Sequence, residues 1–184
     1  MARIPYIDPA DAPEPIAKLL EDLPPLNIFM MMAHTGQTLR DFVQLGNRIL
    51  FEGTLDPALR ELAILRVAHL SGATYERHHH EKIARQLEIP ARKIEAVERG
   101  GAAAIFSELE RHVLLFVDDV VNNVRASDET FAPLSRDLTH AALQELVLTI
   151  GYYMMVARFL ETFDVDLEED SDVGLTLRQG SSGG

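Results

Sequence analysis

The segment from Asp56 to Gly72 constrains this chain of 184 residues more than any other. Leu59, Leu62, Ala63, Ile64, Leu65, Val67, Ala68 and Leu70 recur so densely that, at about 100° per residue, they surround a helix on every side. A helix of that kind cannot lie on a surface and must be enclosed by other elements. Asp56-Pro57 marks its start, an N-cap carboxylate followed by proline at the first helical position. Ser71-Gly72 marks its end.

The remainder of the chain reads as the helical shell that such a rod requires. Pro13 to Leu23 carries Ile16, Leu19, Leu20 and Leu23 at helical spacing, and Pro24-Pro25 stops it. The apolar stretch Ile28 to Met32 ends near Gly36. Thr38 caps a helix through Phe42, Leu45, Ile49 and Leu50 that closes at Gly53. A helix follows from Thr74 to Leu87, and another runs from Pro90 to Gly100-Gly101. Ser107 and Glu110 form a capping box for a helix through Leu114, Phe116, Val117 and Val120. Ser127 opens a short segment to Leu138, and Thr139 begins a last long helix reaching Phe163. No alternating apolar and polar run supports a strand. The expectation is one all-α domain over 1–166, with 167–184 an acidic, then Gly/Ser-rich, flexible tail.

Composition excludes several classes of function. With no cysteine there is no thiolate nucleophile, redox pair or Cys-ligated metal. The net charge of −12, without a Lys/Arg-dense stripe, repels a nucleic-acid backbone. No apolar run approaches the roughly 20 residues that span a bilayer, and Met1 to Pro5 lacks the apolar core of a secretory signal. The expected location is therefore cytoplasmic.

Chemistry concentrates on two consecutive helices. On the enclosed helix, Glu61, Leu65 and His69 share one stripe and Arg66 points elsewhere. An unpaired carboxylate in such surroundings holds its proton more tightly, as general acid–base catalysis requires; a buried Glu–Arg or Glu–His pair can equally serve packing alone. On the next helix, Tyr75-Glu76-Arg77-His78-His79-His80-Glu81 sets Glu76 four residues before His80 and three before His79, so that both imidazoles are within its reach. A solvated helical ion pair is the alternative. A metal site needs three or four converging ligands. The HExxH arrangement is absent and only His69 or Glu61 would add to Glu76 and His80, so neither metal nor cofactor is expected.

The run Arg60-Glu61-Leu62-Ala63-Ile64-Leu65-Arg66-Val67-Ala68, followed by Gly72-Ala73-Thr74-Tyr75-Glu76 and His80, resembles the core motif of the carboxymuconolactone decarboxylase family within the AhpD-like superfamily. The likeness runs from Asp56 to about Gly100, and Gln144 to Glu161 resembles the family's closing helix. It implies an AhpD-like helical bundle, here with an N-terminal helical extension. In the peroxidase branch, a Glu, a CxxC pair and a His form a proton relay. Those positions fall on Glu61, Ala73, Glu76 and His80, so the relay lacks both sulfurs. In the decarboxylase branch, acidic groups and a histidine act without a cofactor, and Glu61, Glu76 and His80 are the matching positions.

The resemblance thus implies lyase-type acid–base chemistry on a small carboxylated or lactone-like substrate. His80, held by Glu76, is the expected proton donor, and Glu61 positions it or acts as base. Arg66 and Arg77 (the latter where the family carries Trp) are candidates to bind a substrate carboxylate, with Tyr75 and His79 beside them. The alternative is a non-catalytic small-molecule-binding or assembly protein on the same scaffold. The family also implies a homo-oligomer, a trimer or hexamer, to which Met30-Met31-Met32 and Tyr152-Tyr153-Met154-Met155 would lend apolar surface.

Overall fold

The computed structural model describes residues 1–169. Nine α-helices follow one another among these residues, with no strand: α1 (Glu14–Asp22), α2 (Asn27–Met32), α3 (Gln37–Asn47), α4 (Pro57–Ser71), α5 (Thr74–Gln86), α6 (Ala91–Ala96), α7 (Glu108–Asn123), α8 (Asp128–Asp137) and α9 (His140–Phe163). The all-α expectation holds, and most boundaries fall within a residue or two of the sequence reading.

Helix α4 is the enclosed rod. Residues 59 to 65 are all buried, as are Val67 and Ala68, and α5, α7 and α9 pack around it. Asp56 accepts hydrogen bonds from the Ala58 and Leu59 amides at 2.9 and 3.0 Å, satisfying two N–H groups that have no partner within the helix. Gly72 closes the helix at φ +68°, a left-handed conformation that glycine adopts without cost. The chain therefore reverses within two residues and α5 runs back along α4. That reversal brings residue 80 beside residue 61.

Two further apolar clusters complete the core. One joins α4, α6 and α7 through Leu62, Leu65, Ile94, Val97 and Leu114. The other gathers Ile16, Leu20, Met32, Leu39 and Val43 from α1 to α3, with Phe159 of α9 packed against it. Met31 and Met32 are thus core residues rather than oligomer surface, and Tyr152 and Tyr153 are buried as well. Exposed apolar side chains occur instead at Val147, Leu148 and Met155 of α9.

Thr38 lies inside α3 rather than capping it, Gly36 standing at the N-cap, and α6 ends at Ala96, giving way to a 3-10 segment from Val97 to Ala102; other features also depart from the sequence reading. Helix α3 does not run unbroken to Gly53: from Arg48 to Glu52 it widens into a π-helical turn, and Glu145 of α9 then accepts from the Thr54 and Leu55 amides, both at 2.7 Å. Helix α9 is, by length and composition, apolar enough to cross a membrane; here Leu146, Ile150 and Leu160 belong to the protein core. The segment expected as a free tail from 167 is also engaged with the fold at Glu168, while residues 170–184 of that expectation lie outside the described residues.

Candidate active site

A cavity of about 730 Å³ lies between the N-terminal helices and the α5–α9 face. Leu26, Ile28, Phe29, Phe42, Val43 and Leu50 form its apolar walls, and exposed Glu21, Asp22 and Glu52 stand at its rim. Its polar lining comes from Tyr75, Glu76, His79 and His80 of α5 and from Tyr152 and Tyr153 of α9. These α5 positions converge because 75, 76, 79 and 80 recur at the i, i+1, i+4, i+5 spacing of one helix face.

Glu61 stands behind this lining, fully buried on α4, and its Oε2 lies 2.7 Å from His80 Nδ1. An ionised carboxylate only accepts, so His80 donates its Nδ1 hydrogen to Glu61. Its Nε2 is then the ring nitrogen left for chemistry. Arg60, also buried, holds Nε 3.5 Å from Glu61 Oε1, an ion pair rather than a hydrogen bond. The ring of Tyr153 meets His80 edge to face with centroids 4.7 Å apart. Carboxylate and tyrosine together fix both the tilt and the tautomer of His80.

Glu76 is in a different situation. It is 2% exposed, and neither carboxyl oxygen has a hydrogen-bond partner. Burial first, then the negative charges of Glu161 and Glu61, push its pKa well above the ordinary carboxylate value of 4.5. It therefore holds its proton more tightly than an exposed carboxyl does. Burial likewise raises the hydroxyls of Tyr152 and Tyr153, so both stay neutral. Tyr152 donates to the Phe42 carbonyl at 3.1 Å and stacks on the Phe42 ring.

Of the three expected residues, Glu61 and His80 are joined by a hydrogen bond and Glu76 lines the same cavity as His80, but the expected Glu76–His80 pair is not formed. His80 is held by Glu61, not by Glu76, because α5 packs antiparallel against α4 and its inward face turns the imidazole toward residue 61. His79 and Tyr75 are wall residues, and both bond to Glu168.

The two arginines take no part in the cavity. Arg66 pairs with Asp118 of α7 and donates to the Val97 and Glu98 carbonyls. Arg77 is exposed, 3.9 Å from Glu81. Among the described residues no lysine or arginine lines the cavity. His69 also lies outside it, half-buried, its pKa lowered by burial and then by the Arg77 charge.

Arg60, Tyr153 and Glu168 were not singled out by sequence reasoning as site residues. Arg60 carried a signal, being a cation on the enclosed helix next to Glu61. Glu168 carried none, since 89 residues separate it from His79.

Residues 36–119 match the family model of the carboxymuconolactone decarboxylase family. This segment resembles that family in sequence. It contains Glu61, Glu76, His79 and His80, whereas Tyr152, Tyr153 and Glu168 lie beyond it. No curated protein matches the chain.

Solved structures share the fold at low identity. An uncharacterized peroxidase-related protein with the alkylhydroperoxidase AhpD core, from Ralstonia eutropha JMP134, aligns with TM-score 0.82 and 17% identity, over 94% of this chain and 95% of that one. A peroxidase-related protein from Silicibacter sp. TM1040 gives 0.77 and 18%, over 91% of each chain. A cysteine-to-alanine variant of the debrominase Bmp8, in complex with 2,3,4-tribromopyrrole, gives 0.74 and 21%, over 92% and 95%. The chain therefore has the AhpD-like fold.

Proposed function

We propose that this chain is a cofactor-independent acid–base enzyme acting on a small, largely apolar carbonyl or lactone-like substrate. The observation that carries the reading is that one open cavity is lined both by Glu76, buried without a hydrogen-bond partner, and by His80, whose Nδ1 is held by Glu61. Burial favours the proton-donating form of Glu76, and an imidazole beside it can take up a proton at Nε2, so one cavity offers both an acid and a base.

His80 Nε2 removes a proton from the carbon next to the carbonyl or, for hydrolytic opening, from water. Glu61 stabilises the imidazolium so formed. Glu76, itself only 2% exposed, donates its hydrogen to the oxygen on which negative charge develops. His80 then returns its proton to carbon or, in ring opening, to the departing oxygen, and Glu76 recovers its own hydrogen from the oxygen it protonated, so both groups end as they began. A carboxylated substrate fits less well than a neutral one, since among the described residues no guanidinium reaches the cavity and three carboxylates stand at its rim. The debrominase relative, crystallised with a small brominated pyrrole, is consistent with a fold that receives compact apolar rings.

The test is a panel of lactones, β-keto acids, enolisable ketones and halogenated heterocycles, followed by NMR in deuterated buffer. Turnover or deuterium incorporation is expected with at least one neutral member. His80→Ala and Glu76→Gln should each lower it by about 10²-fold or more with the helical circular dichroism unchanged. Full activity in His80→Ala would show the assignment of roles to be wrong.

A further inference from the structure

We propose that Glu168, on the segment beyond α9, is a positioning residue that seats His79 and Tyr75 in the cavity wall, making the C-terminal segment a working part of the site. Its side chain is only 8% exposed. Three donors converge on its carboxylate. His79 Nε2 lies 2.9 Å from Oε2, while the Tyr75 hydroxyl and the Asn27 amide, the latter at 2.8 Å, both donate to Oε1. The Tyr75 hydroxyl accepts from the Ile28 amide at 3.4 Å, so its own hydrogen is free to turn toward Glu168.

The segment is anchored on both sides. Asn27 Nδ2 donates to the Asp166 carbonyl at 2.8 Å, the Asp166 amide donates to the Tyr6 hydroxyl at 2.9 Å, and Ala2 N donates to Asp166 Oδ2 at 3.0 Å. A carboxylate held this firmly imposes one tautomer on the ring that donates to it.

Two consecutive histidines are therefore locked in opposite senses. His79 carries its hydrogen on Nε2, toward Glu168, and leaves Nδ1 bare and buried without a partner. His80 carries its hydrogen on Nδ1, toward Glu61, and leaves Nε2 bare. One ring is committed to the wall and its neighbour to proton transfer. The segment responsible lies outside the residues matched to the family, so the site is completed by a part of the chain the family motif does not include. The role of the seated ring rests on the acid–base reading above; the seating itself does not.

The experiment therefore needs no substrate. In ¹⁵N-histidine-labelled full-length protein, the ring nitrogen shifts of His79 should report a single Nε2–H tautomer, and those of His80 a single Nδ1–H tautomer. In Glu168→Ala the His79 signals should move to a tautomer mixture while His80 stays unchanged. Sodium formate, a small carboxylate able to meet the vacated donors, should restore the wild-type pattern saturably. It should have no effect on the wild type. An unaltered His79 tautomer in Glu168→Ala overturns the proposal. So does a loss that formate fails to reverse, which would assign the effect to packing of the segment rather than to the carboxylate. Failure of the substrate panel would refute the acid–base reading and leave this result untouched.

Discussion

Replacing Glu76 by Gln should change the pH dependence of folding more than stability at any one pH. The two side chains have nearly the same shape, and Gln does not titrate. In the folded protein burial holds the Glu76 proton well above pH 4.5, the ordinary value that the unfolded chain reverts to. Above that value the unfolded state sheds a proton that the folded state retains. Stability contributed by this group is therefore complete below 4.5 and declines as pH rises toward the folded value.

The slope has a ceiling of about 1.4 kcal/mol per pH unit, so the difference between pH 5 and pH 7 cannot exceed roughly 3 kcal/mol. Water entering the cavity reduces this, and roughly 1–2 kcal/mol is expected. Glu76→Gln should thus match the wild type near pH 5 and exceed it at pH 7, with a melting temperature higher by about 2–8 °C at the usual 2–4 °C per kcal/mol for chains of this length. Urea or thermal unfolding followed by circular dichroism at pH 5, 6, 7 and 8 measures the difference. Parallel curves across that range, or a wild type that gains on the variant as pH rises, would refute the idea that Glu76 is neutral in the folded state.

Other expectations concern the frame. Leu62→Ala, at a fully buried position of α4, should cost about 2–5 kcal/mol, and Asp56→Ala, removing a cap that accepts two amides, about 1 kcal/mol; chemical denaturation measures both. Burial works to raise the Glu168 carboxyl, but the bonds from His79, Tyr75 and Asn27 overcome it and hold the pKa at about 2. Docking of the C-terminal segment should therefore persist above pH 4.5 and be lost as pH falls toward 2, seen as loss of amide-exchange protection at Asn27. Homo-oligomerisation remains a proposal, now resting on exposed Val147, Leu148 and Met155. Light scattering should give a mass above the 20.5 kDa of one chain, and Leu148→Lys should reduce it.

The elements were legible in the sequence because their determinants are local. The Asp56-Pro57 start, the Gly72 stop and the Ser107–Glu110 capping box each depend on residues within one turn, and each formed as read. The π-helical turn at Arg48 was not legible, because its apolar spacing is that of an ordinary helix. The enclosure of α4 was also readable, since apolar residues around a full circumference admit no exposed face.

The site divides along the same line. Which residue types could do proton chemistry, and that 61 and 80 should meet across a tight reversal, followed from spacing and motif. Which carboxylate takes which imidazole did not. Glu76 and His80 share a helix face in any such sequence, yet the antiparallel packing of α5 on α4 gave His80 to Glu61 and left Glu76 alone with its proton. The same packing turned Arg66 toward Asp118 and let Glu168 reach across 89 residues to His79. Local backbone preference acts within a few residues of chain. Hydrogen-bond partnership and desolvation are set by neighbours in space, and only the tertiary structure brings those together.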